Sequence, residues 1–184
     1  MLGAYSSGEP LMVLCTQDVR VALVTVHVPL RNVSDLITPE LVQRRTQQLM
    51  LHLRDRIGIA EPSIAILALN PHAGDDGVIG DEDTRVIAPA IAAMQQQGLN
   101  VSGPHPADGF FAFGAYKKYN GILAMYHDQG LIPLKLLAQG AGVNVTAGLS
   151  VVRTSPDHGT AYDAALHGEI DSSSTVLAIK MAIG

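Results

Sequence analysis

The sequence predicts an α/β fold built on a mostly parallel sheet. Apolar runs typical of buried strands alternate with helical patterns along the 184 residues. The run Ser63–Leu69 is almost entirely apolar, as expected for a strand buried on both faces of a sheet. Hydrophobic residues make up 47% of the chain and charged residues only 16%, which favours a sizeable core. We therefore expect residues 1–184 to form a single α/β unit.

Capping and turn residues mark where the predicted helices and strands begin and end. Thr38 is an N-cap followed by Pro39 at the first helical position, and Gly58 ends that helix. A glycine-rich loop covers Pro71–Gly80. The predicted strands are Leu11–Cys15, Arg20–Val26, Ser63–Leu69, Ile122–Tyr126 and Val143–Thr146. The predicted helical segments are Pro39–Ile57, Asp81–Gln97, Gln129–Leu137, Thr160–Leu166 and Ser172–Ile183.

Composition argues against several classes of partner. The formal net charge of −5 gives no reason to expect nucleic acid or an anionic membrane surface. No apolar run approaches the length of a membrane span. The single cysteine, Cys15, lies in an apolar run, so we expect a buried thiol without an internal disulfide. A reducing cytoplasm fits this cysteine usage.

Three histidines each follow a predicted strand: His27, His72 and His127. In α/β sheets, ligands bind beyond the carboxyl ends of the strands. Three imidazoles that converge there make a good site for a borderline divalent metal. Any one of them alone is more often a hydrogen-bonded loop residue, and the chain has no HExxH, CxxC or P-loop lysine motif. The metal prediction therefore rests on placement. His52, in the middle of a predicted helix, is expected at the surface, and His105 is expected in a polar loop.

Two cations could hold an anionic substrate. Lys135 and Arg153 each close an otherwise apolar stretch, and together they can clamp a phosphate or a carboxylate. The common fate of such side chains is a solvated surface charge. Asn144 and Asp108 are further polar candidates in the same part of the chain.

Six segments together make the chain recognisable. They are His27–Arg31, Leu69–Gly74, Gly103–Asp108, Ala124–Gly130, Gly142–Thr146 and Arg153–Thr160. In sequence, order and separation they resemble the 4-hydroxythreonine-4-phosphate dehydrogenase family of pyridoxal phosphate biosynthesis. The resemblance covers essentially the whole chain. It implies a three-layer α/β/α architecture like that of the isocitrate and isopropylmalate dehydrogenases, which have two such domains with a cleft between them.

The resemblance also assigns roles to residues. It implies that His27, His72 and His127 bind a divalent metal (zinc, magnesium or cobalt) in a homodimer whose partner subunit completes each metal site. It matches Lys135, Asn144 and Arg153 to substrate-contacting residues, and Asp108 to an active-site aspartate. The nucleotide-binding loop for NAD or NADP corresponds to Asp157, His158, Gly159, Thr160 and Ala161. Its continuation, Ala165–Gly168, departs from the family pattern, and no GxGxxG motif follows a strand.

The implied reaction is a metal-dependent, NAD(P)-linked oxidation of 4-phosphohydroxy-L-threonine to a β-keto acid. The β-keto acid then decarboxylates to 3-amino-2-oxopropyl phosphate, a step of pyridoxine 5'-phosphate biosynthesis. Asp108 and Lys135 are the two catalytic candidates for moving the hydroxyl proton, and the sequence does not choose between them.

The chain is expected to be the C-terminal portion of such a two-domain enzyme, because family members extend well over a hundred residues further at the N-terminus. The family's Gly-His-Thr segment, which also contacts substrate, has no counterpart. We therefore expect this chain alone to bind metal with very weak or absent turnover. Two alternatives stay open: a related dehydrogenase acting on another metal-chelated alcohol, such as a dihydrodiol or a phosphorylated sugar acid, and an inactive metal-binding fragment.

Overall fold

A seven-stranded sheet organises the computed structural model, which describes residues 6–157 and 171–183. The strands are β1 (Ser6–Cys15), β2 (Arg20–Leu23), β3 (Ile64–Leu67), β4 (Val101–His105), β5 (Gly121–Ala124), β6 (Val143–Leu149) and β7 (Thr154–Pro156). Their order in the sheet is β4-β3-β5-β2-β1-β6-β7. β4, β3, β5 and β2 pair in parallel, whereas β1 is antiparallel to both β2 and β6. Therefore β6 runs in the same direction as β2, and the sheet is mostly parallel as predicted.

Helices cover both faces of this sheet. They are α1 (Val33–Leu36), α2 (Pro39–Asp55), α3 (Ala88–Gln96), α4 (Ala107–Ala112), α5 (His127–Ala138) and α6 (Ser173–Ile183). Alternate residues of each strand face opposite sides, so Val13 and Leu123 pack with α2, α3 and α6 while Leu14 and Ile122 pack with α4 and α5. The predicted three-layer α/β/α arrangement is thus confirmed. Among the described residues, no helix is long and apolar enough to cross a membrane.

The caps of α2 follow the sequence signals. The Thr38 hydroxyl accepts a hydrogen bond from the Leu41 N–H at 3.2 Å, and Pro39 is the first helical residue. The helix ends at Asp55, slightly before the predicted Ile57, and Gly58 then adopts a φ of 81°.

His52 of α2 is buried, so its predicted surface position was wrong. The residue is only 8% exposed, and its Nε2 is buried without a hydrogen-bond partner among the described residues. Burial, with the guanidinium charges of Arg20 and Arg56, lowers the pKa of His52 below its usual range. Cys15 is buried as predicted, and burial, opposed by the charge of Arg20, raises the pKa of its thiol to about 12.

Proline accounts for two further differences from the sequence-based elements. The predicted helix Asp81–Gln97 begins with a π-helical turn, Asp83–Ile87, before α3. Pro89 has no N–H to donate to the preceding turn, which accounts for the change of hydrogen-bond pattern there. β4 was missed because Gly103 and Pro104 interrupt it, which an edge strand tolerates.

The short strand β7 was also missed by the sequence analysis. The predicted helical turn Thr160–Leu166 lies outside the described residues.

Replacing Gly130 of α5 should weaken the packing of this helix on the sheet. A Cβ at Gly130 would lie 2.8 Å from Cγ1 of Val21 and 3.0 Å from both Cβ of Ala124 and Cδ2 of Leu23. An alanine inside a helix normally adds up to about 1 kcal/mol of stability. Here the cost of the close contacts should exceed this gain in helix propensity. Gly130→Ala should therefore lower the free energy of unfolding by ~1–3 kcal/mol in urea titrations.

Gly109→Ala in α4 is the matched control for this experiment. A Cβ at Gly109 would lie 3.8 Å from the nearest atoms of the Phe113 ring, which is ordinary contact. This variant should therefore be neutral or slightly stabilising. Equal stability losses for the two variants would contradict the close approach of α5 to the sheet.

His52 should make the folded chain sensitive to acid. Its lowered pKa means that the unfolded state binds the proton more readily than the folded state, so folding stability falls as pH drops through about 6.5, the unfolded value. His52→Leu removes this group and should reduce the loss of unfolding free energy between about pH 7.5 and about pH 5.5. An equal loss in both proteins would show that His52 does not titrate differently in the folded chain.

Candidate active site at the carboxyl edge of the sheet

The three candidate histidines follow three neighbouring strands. His27 follows β2, His127 opens α5 directly after β5, and His72 follows β3, while β5 lies between β3 and β2 in the sheet. All three strands run in parallel, so these histidines lie at one edge of the sheet. This placement was predicted and is confirmed. Placement at one edge does not by itself show that the three side chains bind a metal.

His27 and His127 come together within one chain. Their ring centroids are 5.5 Å apart, with 44° between the ring planes. From the sequence we expect His72 and His127 to be near each other within a subunit and His27 to face the partner's pair, whereas the structure brings His27 to His127 within one chain. Among the described residues, no group of three or more histidine, cysteine, aspartate or glutamate side chains is close enough to hold a metal ion. One chain thus contributes a pair of imidazoles at this point.

The orientation of the His127 ring suits a metal ligand. Its Nδ1 lies 2.7 Å from Oδ1 of Asp128. A neutral imidazole that donates from Nδ1 carries its lone pair on Nε2. Metal-bound histidines commonly donate their second ring N–H to a carboxylate in this way, which fixes the ring and its tautomer.

Side-chain hydrogen bonds tie the ends of these strands together. Oε1 of Gln129 accepts from the N–H of Met125 at 2.7 Å, and its Nε2 donates to the carbonyl of Ala68 at 2.6 Å. The Thr25 hydroxyl donates to the Met125 carbonyl at 2.8 Å. The segments that follow β2, β3 and β5 are thereby joined. Sequence reasoning missed these residues, although Gln129 lies in the same motif as His127.

Asp108 lies at the same edge, at the exposed start of α4 directly after β4. Beside it, His105 is half-buried at the end of β4 and not in a polar loop as expected. Its Nε2 lies 2.9 Å from the Ser102 hydroxyl, which donates to the hydroxyl of Tyr119 at 2.8 Å. Burial lowers the pKa of His105, which favours the neutral ring.

The predicted substrate-contacting residues lie on three separate parts of the fold: Lys135 on α5, Asn144 on β6, and Arg153 just before β7. Lys135 is in the last turn of α5, about 12 Å from His127 along the helix axis at ~1.5 Å per residue. Its Nζ lies 3.6 Å from Oδ1 of Asp157. Asn144 is at the amino-terminal end of β6, and its Oδ1 is buried without a hydrogen-bond partner among the described residues.

Arg153 lies in the hairpin between β6 and β7. Its Nη1 donates to the Thr146 hydroxyl at 2.6 Å, and its carbonyl accepts from the Thr146 N–H at 3.0 Å. Asp157 is the one residue of the predicted nucleotide loop that the structure describes. The others, His158, Gly159, Thr160 and Ala161, lie outside the described residues.

A mostly parallel sheet with helices on both faces and imidazoles at its carboxyl edge is typical of α/β enzymes. The family model for the pyridoxal phosphate biosynthetic protein PdxA matches residues 1–182, and the chain belongs to this family. It is 50% identical over 178 residues to the 4-hydroxythreonine-4-phosphate dehydrogenase of Bacteroides thetaiotaomicron, covering 97% of this chain and 49% of that protein. The chain spans about half the length of the curated relatives that it matches.

Solved structures agree with this assignment. The 4-hydroxythreonine-4-phosphate dehydrogenase from Klebsiella pneumoniae superposes with a TM-score of 0.82 at 43% identity, over 95% of this chain and 53% of that one. A terephthalate 1,2-cis-dihydrodiol dehydrogenase from Burkholderia xenovorans gives 0.75 at 28% identity, over 94% and 55%. A beta-decarboxylating dehydrogenase from Thermococcus kodakarensis gives 0.56 at 16% identity, over 96% and 55%. The last comparison shows the fold alone, and it agrees with the predicted likeness to isocitrate and isopropylmalate dehydrogenases.

Proposed function

We propose that this chain carries the metal-binding and substrate-binding part of a 4-hydroxythreonine-4-phosphate dehydrogenase. The reaction is the NAD(P)-linked oxidation of 4-phosphohydroxy-L-threonine to a β-keto acid, which decarboxylates to 3-amino-2-oxopropyl phosphate in cytoplasmic pyridoxine 5'-phosphate biosynthesis. The observation that carries the proposal is the His27–His127 pair at the carboxyl edge, with Asp128 orienting one ring. Membership in the PdxA family supports the choice of substrate.

His27, His72 and His127 are the proposed ligands of a divalent metal such as zinc, magnesium or cobalt. Two imidazoles meet within one chain, so a complete site needs a further ligand from elsewhere. A homodimer supplies it if the partner subunit brings a histidine to the pair. Bound at this edge, the metal supplies Lewis acidity to the substrate hydroxyl, and a bound nicotinamide supplies the hydride acceptor.

Proton transfer from the substrate hydroxyl is assigned to Asp108. Asp108 is exposed at the carboxyl edge, where β4 ends beside β3. The other candidate, Lys135, lies at the far end of α5 and is paired with Asp157. A protonated, ion-paired ammonium group cannot accept the proton. Lys135 is better suited to bind the negatively charged phosphate of the substrate.

Lys135, Asn144 and Arg153 are proposed to bind the phosphate end of the substrate. Arg153 is held in place by the Thr146 hydroxyl, and the long Lys135 side chain can span part of the distance back along α5 towards the histidines. Because Asp157 begins the proposed NAD(P) loop, its contact with Lys135 links the phosphate end to the nucleotide loop. Residues 157–161 are assigned to the nucleotide by their resemblance to that loop.

A second candidate function is oxidation of another metal-chelated alcohol. The similarity to a terephthalate 1,2-cis-dihydrodiol dehydrogenase favours it, because that protein's name describes a substrate without phosphate. NADH formation from 4-phosphohydroxythreonine, compared with a cis-dihydrodiol, in the presence of zinc or magnesium distinguishes the two. Metal binding without turnover on either substrate would identify the chain as an inactive metal-binding unit.

Removing either member of the imidazole pair should weaken metal binding. His27→Ala and His127→Ala should each lower zinc affinity at least tenfold in isothermal titration calorimetry, since even outer partners of a metal site are typically worth about 10–100-fold. His52→Leu is the matched control, because it removes an imidazole from α2, on the other face of the sheet. Unchanged affinity in both edge variants would rule out this site.

Removing either cation of the proposed phosphate clamp should weaken substrate binding without affecting the metal. Lys135→Ala and Arg153→Ala should each cost ~1.5–3 kcal/mol, roughly ten- to a hundredfold in the dissociation constant of 4-phosphohydroxythreonine. Zinc affinity should stay unchanged. Lys118→Ala, which removes an exposed lysine after α4, is the control. A clamp variant that binds the phosphorylated substrate normally would contradict its assigned role.

A further inference from the structure

The turn that carries His72 has an unusual backbone. Five successive residues have positive φ: His72 (51°), Ala73 (54°), Gly74 (84°), Asp75 (46°) and Asp76 (52°). Four of the five are not glycine, and side chains of L-residues disfavour this left-handed region. Such a run persists only where the surrounding structure holds it in place.

Asp83, in the π-helical turn that follows, holds the chain just before this turn. The Asp83 side chain is only 1% exposed. Its Oδ1 accepts a hydrogen bond from the Leu69 N–H at 2.7 Å, and its Oδ2 accepts from the Asn70 N–H at 2.9 Å and from Asn70 Nδ2 at 3.0 Å. One buried carboxylate thus fixes two successive backbone groups and a side chain at the point where the chain leaves β3.

Close packing supports the other side of the turn. A Cβ at Gly74 would collide with the carbonyl oxygen of Gly80, and a Cβ at Gly80 would lie 2.6 Å from Nδ2 of Asn70. Nδ2 of Asn70 also donates to Oε2 of Glu82 at 2.7 Å. The turn is therefore clamped against the segment that leads into Asp83, and a shift of that carboxylate would move the whole loop.

We infer that Asp83 is a positioning residue for His72: its buried carboxylate holds the left-handed turn and so sets where the His72 imidazole lies. This inference rests on the proposed role of His72 as a metal ligand. Asp83 itself is directed at backbone N–H groups before the turn, so it acts through the turn and not as a ligand. Its effect should therefore appear in the backbone conformation of the turn even without metal.

The first experiment compares Asp83→Asn with Asp81→Asn. The new amide of Asp83→Asn would face backbone N–H donors, so the turn should relax. In nuclear magnetic resonance spectra without metal, the strong intraresidue amide–Hα contacts that mark positive φ at His72 and Ala73 should weaken. Zinc affinity should fall at least tenfold. Asp81→Asn removes the same charge at an exposed site paired with Arg85, and should leave both quantities unchanged.

A rescue variant separates positioning from a general loss of stability. Glycine enters the left-handed region without a steric penalty, so Ala73→Gly in the Asp83→Asn background should restore part of the zinc affinity. If Asp83→Asn does not fold, Asn70→Ala removes one of the three hydrogen bonds to Asp83 and should produce the same two changes, with smaller amplitude.

Two results would overturn the inference: positive-φ contacts that persist at His72 and Ala73 in the folded Asp83→Asn chain, or an equal loss of zinc affinity in Asp81→Asn. Failure of the underlying proposal gives a different result. If the unaltered chain and His72→Ala bind zinc equally, then His72 is not a ligand, while the metal-free spectra still report whether Asp83 holds the turn.

Discussion

The Gln129 carboxamide is the contact on which the carboxyl edge depends. It accepts a hydrogen bond from the Met125 N–H after β5 and donates one to the Ala68 carbonyl after β3. These two backbone groups lie just past the ends of their strands, and Gln129 supplies a hydrogen-bond partner for each. The Thr25 hydroxyl extends the connection to β2 through the Met125 carbonyl. Backbone hydrogen bonds from the N–H groups of Val24 and Thr25 to the carbonyls of Ala124 and Met125 also hold the ends of β2 and β5 together, whereas Gln129 brings in the segment after β3. Without such cross-links, three strand ends do not define one site.

Much of the fold could be predicted because local signals and tertiary packing agree. The apolar run of β3, the Thr38 cap and the helical pattern of α6 each indicate the element that forms. The pairing of His27 with His127 could not be predicted, because it depends on β5 inserting between β2 and β3 in the sheet. That order is set by side-chain packing between segments far apart in sequence. His52 was misplaced for the same reason: the buried face of α2 depends on what packs against it.

Sequence reasoning grouped the candidate site residues as one cluster, whereas the structure separates them along α5. His127 begins the helix and Lys135 is in its last turn. At its start the helix places His127 and Asp128 beside His27, and this group suits a cation. Near its end the helix carries Lys135, whose ammonium group contacts Asp157 and whose charge suits an anion. One rigid helix therefore sets the separation between the two kinds of site. Gly130, packed against the sheet between them, allows this helix to approach closely.

The ion pair of Lys135 with Asp157 bears on how such an arrangement could operate. Lys135 is about half exposed while Asp157 is largely buried, so the pair is maintained more by the position of Asp157 than by Lys135. A phosphate oxyanion, like a carboxylate, makes a charge-assisted hydrogen bond with an ammonium group, and the 3.6 Å separation from Asp157 indicates a loose contact. If Lys135 turns to a substrate phosphate, Asp157 loses its cation at the first residue of the proposed nucleotide loop. Substrate and nucleotide would then be coupled through this one contact, and by linkage each ligand would change the affinity of the other by the same factor.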